Sequence, residues 1–294
     1  MPELPEVQTV VDDLNKKIKG DTITGFWSDW DKTIKSMSLG TFKKNIIGKK
    51  ILKSRRIGKN IFIDLSGGKT LYIHLKMTGH LILKPENKKS KFFDEKVNQY
   101  IHHSWKLKNK KGEMIDLDFS DLRKFAKIVL VNTDKVQDLP EIKKLGIDAM
   151  DPKFNLKKFQ EILNKNSARG RSALGGKPIG IVLMEQELIA GIGNIYRSEI
   201  LFAAGVNPER KSGDLKKEET SKIFKEIKRI LKKAIELRGT SDSDYRDTSG
   251  APGQYRKLLR VYRKDKQKCL KCAKIILRIK MAQRSVFYCP NCQK

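Results

Sequence analysis

The sequence predicts a multidomain α+β protein: a β-sandwich led by one helix, then a helical part, then a small C-terminal β-hairpin gathered by four cysteines. Three observations carry that prediction. Apolar residues recur at helical spacing over the first eighteen residues and again beyond Pro152, with short runs of strand composition between these stretches, and the four cysteines form two C-x2-C pairs in the last part of the chain. On these shifts the 294 residues divide at 1–134, 135–254 and 255–294.

Taken in order, Val7, Val10, Val11, Leu14 and Ile18 form one apolar stripe, so residues 1–18 read as an amphipathic helix. It is entered through Pro2, where a missing amide hydrogen costs nothing. From 21 to 131 the strand-like runs are 50–57, 60–65, 69–75, 81–83, 104–107, 114–119 and 126–131, with Ser66-Gly67-Gly68-Lys69 and Lys110-Lys111-Gly112 as hairpin turns. Many short strands with tight turns predict two packed sheets. After Asp151-Pro152 the helical period returns at Leu156, Phe159, Ile162 and Leu163, over 181–184 and 195–202, and at Ile223, Phe224, Ile227, Leu231 and Ile235. Residues 239–253 are rich in Gly, Ser, Thr and Asp without periodicity and read as a mobile loop. No repeat at solenoid periods interrupts this order.

The 63 Lys+Arg against 34 Asp+Glu leave a net charge of +29, which attracts a polyanion by counterion release and favours nucleic acid as partner. General over-use of lysine is the plainer reading of runs such as 84–96. No run approaches the roughly eighteen apolar residues of a membrane span, and the opening is acidic and periodic rather than a basic leader, so a cytoplasmic protein is expected.

Cys269, Cys272, Cys289 and Cys292 stand as C-x2-C, sixteen residues, C-x2-C, the spacing of one tetrahedral four-cysteine Zn2+ site rather than a chain-wide disulfide framework. Lys274, Arg278, Lys280 and Arg284 alternate there with Ile275, Ile276, Ile279 and Val286 as a basic β-hairpin, too small for its own core, so zinc supplies its folding energy. The alternative is a purely structural ribbon that touches no nucleic acid.

The N-terminus reads Met1-Pro2-Glu3-Leu4-Pro5-Glu6. With Met1 removed, Pro2 exposes a secondary amine of pKa about 8, partly neutral at physiological pH and able to attack a sugar C1′ to form an iminium. Glu3 beside it is placed to move a proton. By itself the string is also ordinary helix-start chemistry, with proline in the first turn and carboxylates against the dipole.

Three strings together change that balance: the opening PELPEV, Ile189-Ala190-Gly191-Ile192-Gly193-Asn194-Ile195-Tyr196, and the ending 283–293 around Cys289 and Cys292. In that order they resemble bacterial formamidopyrimidine-DNA glycosylases, and PELPE rather than PEGPE resembles the branch acting on oxidised purines. The resemblance implies a helix-two-turns-helix element in the helical part and makes Pro2 the nucleophile and Glu3 the proton-transfer group. It makes Lys59 a catalytic cation near the lesion phosphate and Arg284, in the zinc hairpin, the arginine that holds flanking phosphates. Asn194 matches the phosphate-facing asparagine of the helix-two-turns-helix, where Gly191 and Gly193 let amides approach.

An everted nucleotide leaves a gap in the stack. Met77, Arg123 and Phe125 match the family's void-filling trio, and His74 and Lys124 join them as DNA-contacting residues; on composition alone Met77 and Phe125 read as core. The chain departs from the pattern where Lys76 stands for a small residue, Leu122 for proline and Ala126 for glycine, and the 84–100 stretch is long. Residues 240–250 correspond to the family's lesion-capping loop.

The resulting expectation is a monomeric, cytoplasmic bacterial enzyme with damaged double-stranded DNA in a basic cleft, excising 8-oxoguanine or formamidopyrimidines and nicking by β,δ-elimination. Two rivals stand beside it: the same fold directed at oxidised pyrimidines or abasic sites, and a DNA-binding scaffold without catalysis. Binding alone needs none of Pro2, Glu3 and Lys59.

Overall fold

The computed structural model describes residues 1–35, 37–86, 89–164 and 176–294; positions 87 and 88 of the long 84–100 stretch lie outside the described residues. Two compact units form: Met1–Lys143 with Ile235–Arg256, and Lys144–Ala234 with Lys257–Lys294.

The first unit begins with α1 (Leu4–Lys17), whose buried face is the expected stripe, from Leu4 and Val7 to Val10, Val11 and Leu14. A capping box starts it: Glu6 Oε2 accepts the Glu3 N–H at 2.7 Å. There follow β1 (Thr22–Ser28), β2 (Ile34–Lys35), α2 (Leu39–Ile46), β3 (Ile51–Ile57), β4 (Asn60–Leu65), β5 (Lys69–His74), β6 (His80–Pro85), β7 (Ile101–Lys108), β8 (Met114–Ser120), β9 (Lys127–Asn132) and a single turn α3 (Pro140–Lys143). The strands make a four-stranded sheet, β1-β7-β8-β6, and a five-stranded sheet, β2-β9-β5-β4-β3. Phe26, Trp105, Leu117 and Phe119 of one sheet share a core with Ile61, Ile63, Leu71 and Ile73 of the other and with Val10 and Leu14 of α1. The sandwich expected from the strand runs is there.

β1 and α2 escaped the pattern, as did the shorter β2 and α3. β1 carries Gly25 at a register shift against β7, which breaks its alternation. α2 is a short helix capped by Ser38 Oγ, which accepts the Thr41 N–H at 3.2 Å, and it buries only Phe42 and Ile46. β7 also starts earlier than the 104–107 run, because polar His103 faces inward, stacked on Phe119 and Phe26 with ring centroids 5.8 and 6.0 Å away.

The segment 239–253 corrects the expectation of a mobile loop. Thr240, Ser241, Asp247 and Thr248 are buried and Tyr245 joins the sandwich core. Ser241 Oγ donates to Tyr245 O at 2.6 Å and accepts the Gly253 N–H at 2.9 Å, and Leu83 N on the edge strand β6 donates to Thr248 O at 2.8 Å. Hydroxyls and carboxylates satisfy the irregular backbone, so a lack of periodicity here means irregular rather than loose.

The second unit contains β10 (Ile147–Asp148), α4 (Leu156–Asn164), α5 (Ile179–Val182), β11 (Ile189–Ala190), α6 (Asn194–Ala204), most of α7 (Lys217–Glu236), and the antiparallel hairpin β12 (Leu277–Met281) and β13 (Arg284–Tyr288). Ile223, Ile227, Ile230, Leu231 and Ala234 form the buried stripe of α7, and Phe154, Phe159 and Phe224 pack ring against ring. Among the described residues no helix is long and apolar enough to cross a membrane.

Candidate active site and zinc centre

The first unit holds Pro2, Glu3, Lys59, His74, Met77, Arg123, Lys124 and Phe125; the second holds Asn194, Arg284 and the cysteines. Pro2 is buried just ahead of Glu3, the N-cap of α1, so the helix is entered at Glu3 with Pro5 in its first turn and not through Pro2; Met1 is 38% exposed. Glu3 is 3% exposed and its backbone is held by Glu6. The helix that carries them is fixed to β3 by side chains: Arg56 Nε donates to Gln8 Oε1 at 2.9 Å, and Asn15 exchanges two hydrogen bonds with the Ser54 backbone. Two residues beyond Arg56, Gly58 supplies φ +59 at the first position of a two-residue hairpin loop, and Lys59 follows it, buried.

Lys59 makes itself felt at His74. Burial first, and then the charges of Lys76 and Lys59, lower the imidazole to about 3. His74 is therefore a neutral group at physiological pH, and its Nδ1 accepts the Lys76 N–H at 3.0 Å. Lys76, where a small residue was expected, sits at φ +54, so the turn keeps the backbone a glycine adopts and carries a lysine at a cost of about 1–2 kcal/mol.

Met77, Arg123 and Phe125 come from two turns tied together by Thr78 and Asp121, whose hydroxyl and carboxylate hydrogen-bond each other. Asp121 Oδ2 accepts the Ala126 N–H at 2.9 Å and Thr78 Oγ1 accepts the Arg123 N–H at 3.1 Å. This tether was not read from the sequence, although the Asp opening Asp121-Leu122-Arg123 is a turn signal. Met77 is 41% and Phe125 54% exposed, so neither is core. The Arg123 guanidinium lies over the Phe125 ring at 4.6 Å, and Lys124, at φ +56, lies over Trp30 at 4.4 Å.

In the second unit Asn194 opens α6 behind Gly193. Only Gly191, at φ +108, needs to be glycine by conformation; Gly193 is extended at φ −129. Gln186 builds this turn: its Oε1 accepts the Gly191 N–H at 3.0 Å and its Nε2 donates to Ile192 O at 2.8 Å. Buried Arg197 donates to Asn194 Oδ1 and, at 2.9 Å, to Gly180 O. Glu199 accepts the backbone N–H groups of Arg260, Val261 and Tyr262 at 2.8, 3.0 and 2.9 Å, which fixes the lead into the zinc hairpin. Gln186, Arg197 and Glu199 carried no readable signal: Glu199 meets partners more than sixty positions away, and Gln186 and Arg197 act through backbone and side-chain contacts that leave no periodic trace.

The four cysteine Sγ atoms lie within 4.8 Å of one another, with Cys269 to Cys292 at 3.9 Å and Cys272 to Cys289 at 3.4 Å. Tetrahedral zinc with Zn–S bonds of about 2.3 Å requires sulfurs about 3.8 Å apart. The donor set fits, and the four cysteines form one structural zinc site. Past it, Ala282 and Gln283, at φ +44 and +62, turn β12 into β13 and set Arg284 exposed at the head of the second strand, opposite Met281. Gln293 Nε2 donates to Val206 O at 2.9 Å and seats the finger on the end of α6.

Three family models match the chain: the formamidopyrimidine-DNA glycosylase N-terminal domain at 1–128, the formamidopyrimidine-DNA glycosylase H2TH domain at 145–246, and a zinc finger found in FPG and IleRS at 266–294. The chain is 38% identical over 294 residues to the formamidopyrimidine-DNA glycosylase of Pelotomaculum thermopropionicum, covering 100% of this chain and 99% of that one. It is 36% identical to that of Carboxydothermus hydrogenoformans, with both chains covered fully at 100%. Among solved structures, Lactococcus lactis Fpg in complex with abasic-site DNA superposes with a TM-score of 0.84 at 32% identity, over 99% of each chain. A MutM complex with DNA containing carbocyclic 8-oxo-G gives 0.82 at 31%, over 100% of each. The chain therefore belongs to the formamidopyrimidine-DNA glycosylase family.

Proposed function

We propose that Pro2, freed of Met1, excises oxidised purines such as 8-oxoguanine and formamidopyrimidines from damaged double-stranded DNA and then cuts the strand. The secondary amine lone pair bonds to C1′, the bond from C1′ to the base breaks, and Glu3 relays a proton to the departing base. The C1′–O4′ bond then breaks as the nitrogen lone pair forms a C=N bond and O4′ takes up a proton, and the resulting iminium acidifies the C2′ proton. Its removal expels the 3′ phosphate by β-elimination, and a second elimination expels the 5′ phosphate, leaving a one-nucleotide gap. The amine is the electron sink for both eliminations, while the four cysteines, by holding zinc, keep the hairpin folded.

Met77, Arg123 and Phe125 fill the gap left by the everted nucleotide, and their exposure on two tethered turns supports this role. Lys59, Lys124, Asn194 and Arg284 meet phosphate, and His74 contributes a neutral imidazole. Residues 240–250 face the extruded base. In this reading 1–134 is the catalytic part, 135–254 the helix-two-turns-helix part and 255–294 the zinc finger, and the enzyme acts as a monomer in the bacterial cytoplasm. Complexes of relatives with abasic-site and 8-oxo-G DNA support the substrate class.

The observation that carries the proposal is a buried proline at the head of a core-anchored helix, next to an equally buried Glu3. Borohydride reduction with an 8-oxoguanine duplex tests it: the Met1-processed protein is expected to give a covalent adduct and Pro2→Gly none. Absence of the adduct, or equal trapping by the variant, defeats the mechanism.

A further inference from the structure

Arg238, just past α7, has φ +59. A non-glycine residue keeps a left-handed backbone where its surroundings over-determine it. Here the guanidinium fork does so. Nη1 and Nη2 donate to Asp13 Oδ1 and Oδ2 at 3.3 and 2.5 Å, and Nε donates to Asp247 Oδ2 at 2.6 Å. Asp13 belongs to α1 and Asp247 to the irregular segment 239–253, so one cation joins the two. The carboxylates are 8% and 3% exposed and the guanidinium 41%. Thr248 Oγ1 extends the array, donating to Asp13 Oδ2 at 2.6 Å and accepting from Lys17 Nζ at 2.7 Å.

This array borders the N-terminus. A Cβ at the next residue, Gly239, would stand 2.7 Å from Glu6 Oε1. Thr240 N donates to that same oxygen at 2.7 Å, and the other oxygen of Glu6 accepts the Glu3 N–H at 2.7 Å. One carboxylate thus links the start of the segment to Glu3.

We infer that Arg238 is a positioning residue for base excision: by bridging Asp13 and Asp247 it sets 239–241 against Glu6, and so holds the wall that an everted base meets. The inference rests on the reaction proposed at Pro2, since a base is bonded to the carbon under attack and therefore lies against whatever flanks the nucleophile. It requires a split between substrates. A damaged base needs the wall, whereas an abasic deoxyribose has no base to hold.

Single-turnover rates on 8-oxoguanine and abasic duplexes test the split with Arg238→Gly, which accepts the same backbone and lacks the fork. Excision of 8-oxoguanine is expected to slow about tenfold or more, as misplacement near a reacting centre does, with abasic-site cutting kept within about twofold. Arg238→Lys is expected to restore part of the excision rate, because an ammonium reaches one carboxylate but not both. Should Arg238→Gly melt below the assay temperature, the same ratio is read on Asp13→Asn, which keeps an acceptor oxygen and loses the charge. Rates that fall together, or excision that does not change, overturn the inference. An absent borohydride adduct with the unaltered protein fails the Pro2 reaction instead, so the two failures are distinct.

Discussion

The two ends of the chain fix their chemistry in opposite ways. At the N-terminus α1 drives Val7, Val10 and Leu14 to complete burial in a core shared with two sheets, and buried carboxylates on its polar side meet partners from 238 to 248. At the C-terminus the hairpin buries Val286 and Phe287 but leaves Ile275 and Leu277 exposed at 46% and 41%, and what gathers it is four sulfurs. A nucleophile must be held within a fraction of an ångström, and a large core supplies that rigidity. A phosphate grip, the role proposed for Arg284, tolerates a small module, provided a metal replaces the missing core.

Removing zinc is expected to have the largest effect that separates the two ends. Cys289→Ser, or chelation, should unfold the hairpin, whose metal contributes on the order of 10 kcal/mol, and abolish tight duplex binding while the circular dichroism of the sandwich persists. Binding that survives chelation breaks the comparison. The converse variant, Leu14→Ala, should destabilise the first unit by about 2–5 kcal/mol in a denaturant titration and leave zinc retention unchanged.

Acid should take the ends apart in order. Zinc is held by thiolates, so falling pH sets protons in competition with the metal for the four sulfurs. At Asp13 burial acts to raise the carboxyl, but hydrogen bonds from Arg238 and Thr248 and the charge of Lys17 outweigh it and hold it below 3.8. Its contribution is therefore full above 3.8 and lost only as pH falls through that lower value. A zinc-sensitive dye should report release of the metal before the sandwich signal changes, and simultaneous loss contradicts this. Arg284→Ala should flatten the dependence of log affinity on log salt by about one unit, and an unchanged slope removes Arg284 from the phosphate interface. The smallest effect belongs to His74. Its value of about 3 means that binding should show no His74 protonation step between roughly pH 5 and 8, which NMR of the ring checks.

The sandwich was legible where continuous runs of strand composition stand between turns, as over β4, β5 and β9, and illegible where Gly25 breaks β1 or buried His103 poses as surface. Met77 and Phe125 show the limit from the other side. Composition alone assigns them to the core, the resemblance assigns them to DNA, and the structure exposes both. The Thr78 to Asp121 tether that makes the exposure tenable spans forty-three positions and left no periodic trace.

Covalent spacing alone makes three features readable: two C-x2-C pairs that close on one metal, a proline and a glutamate side by side at a helix start, and the stripe that buries α1. Which charges become partners is settled by folding. Asp13 and Arg238 stand 225 positions apart, among 34 acidic and 63 basic residues any of which satisfies Coulomb's law equally well on paper. Burial singles out this pair, because carboxylates withdrawn from water need a cation beside them, and folding brings the Arg238 guanidinium between Asp13 and Asp247.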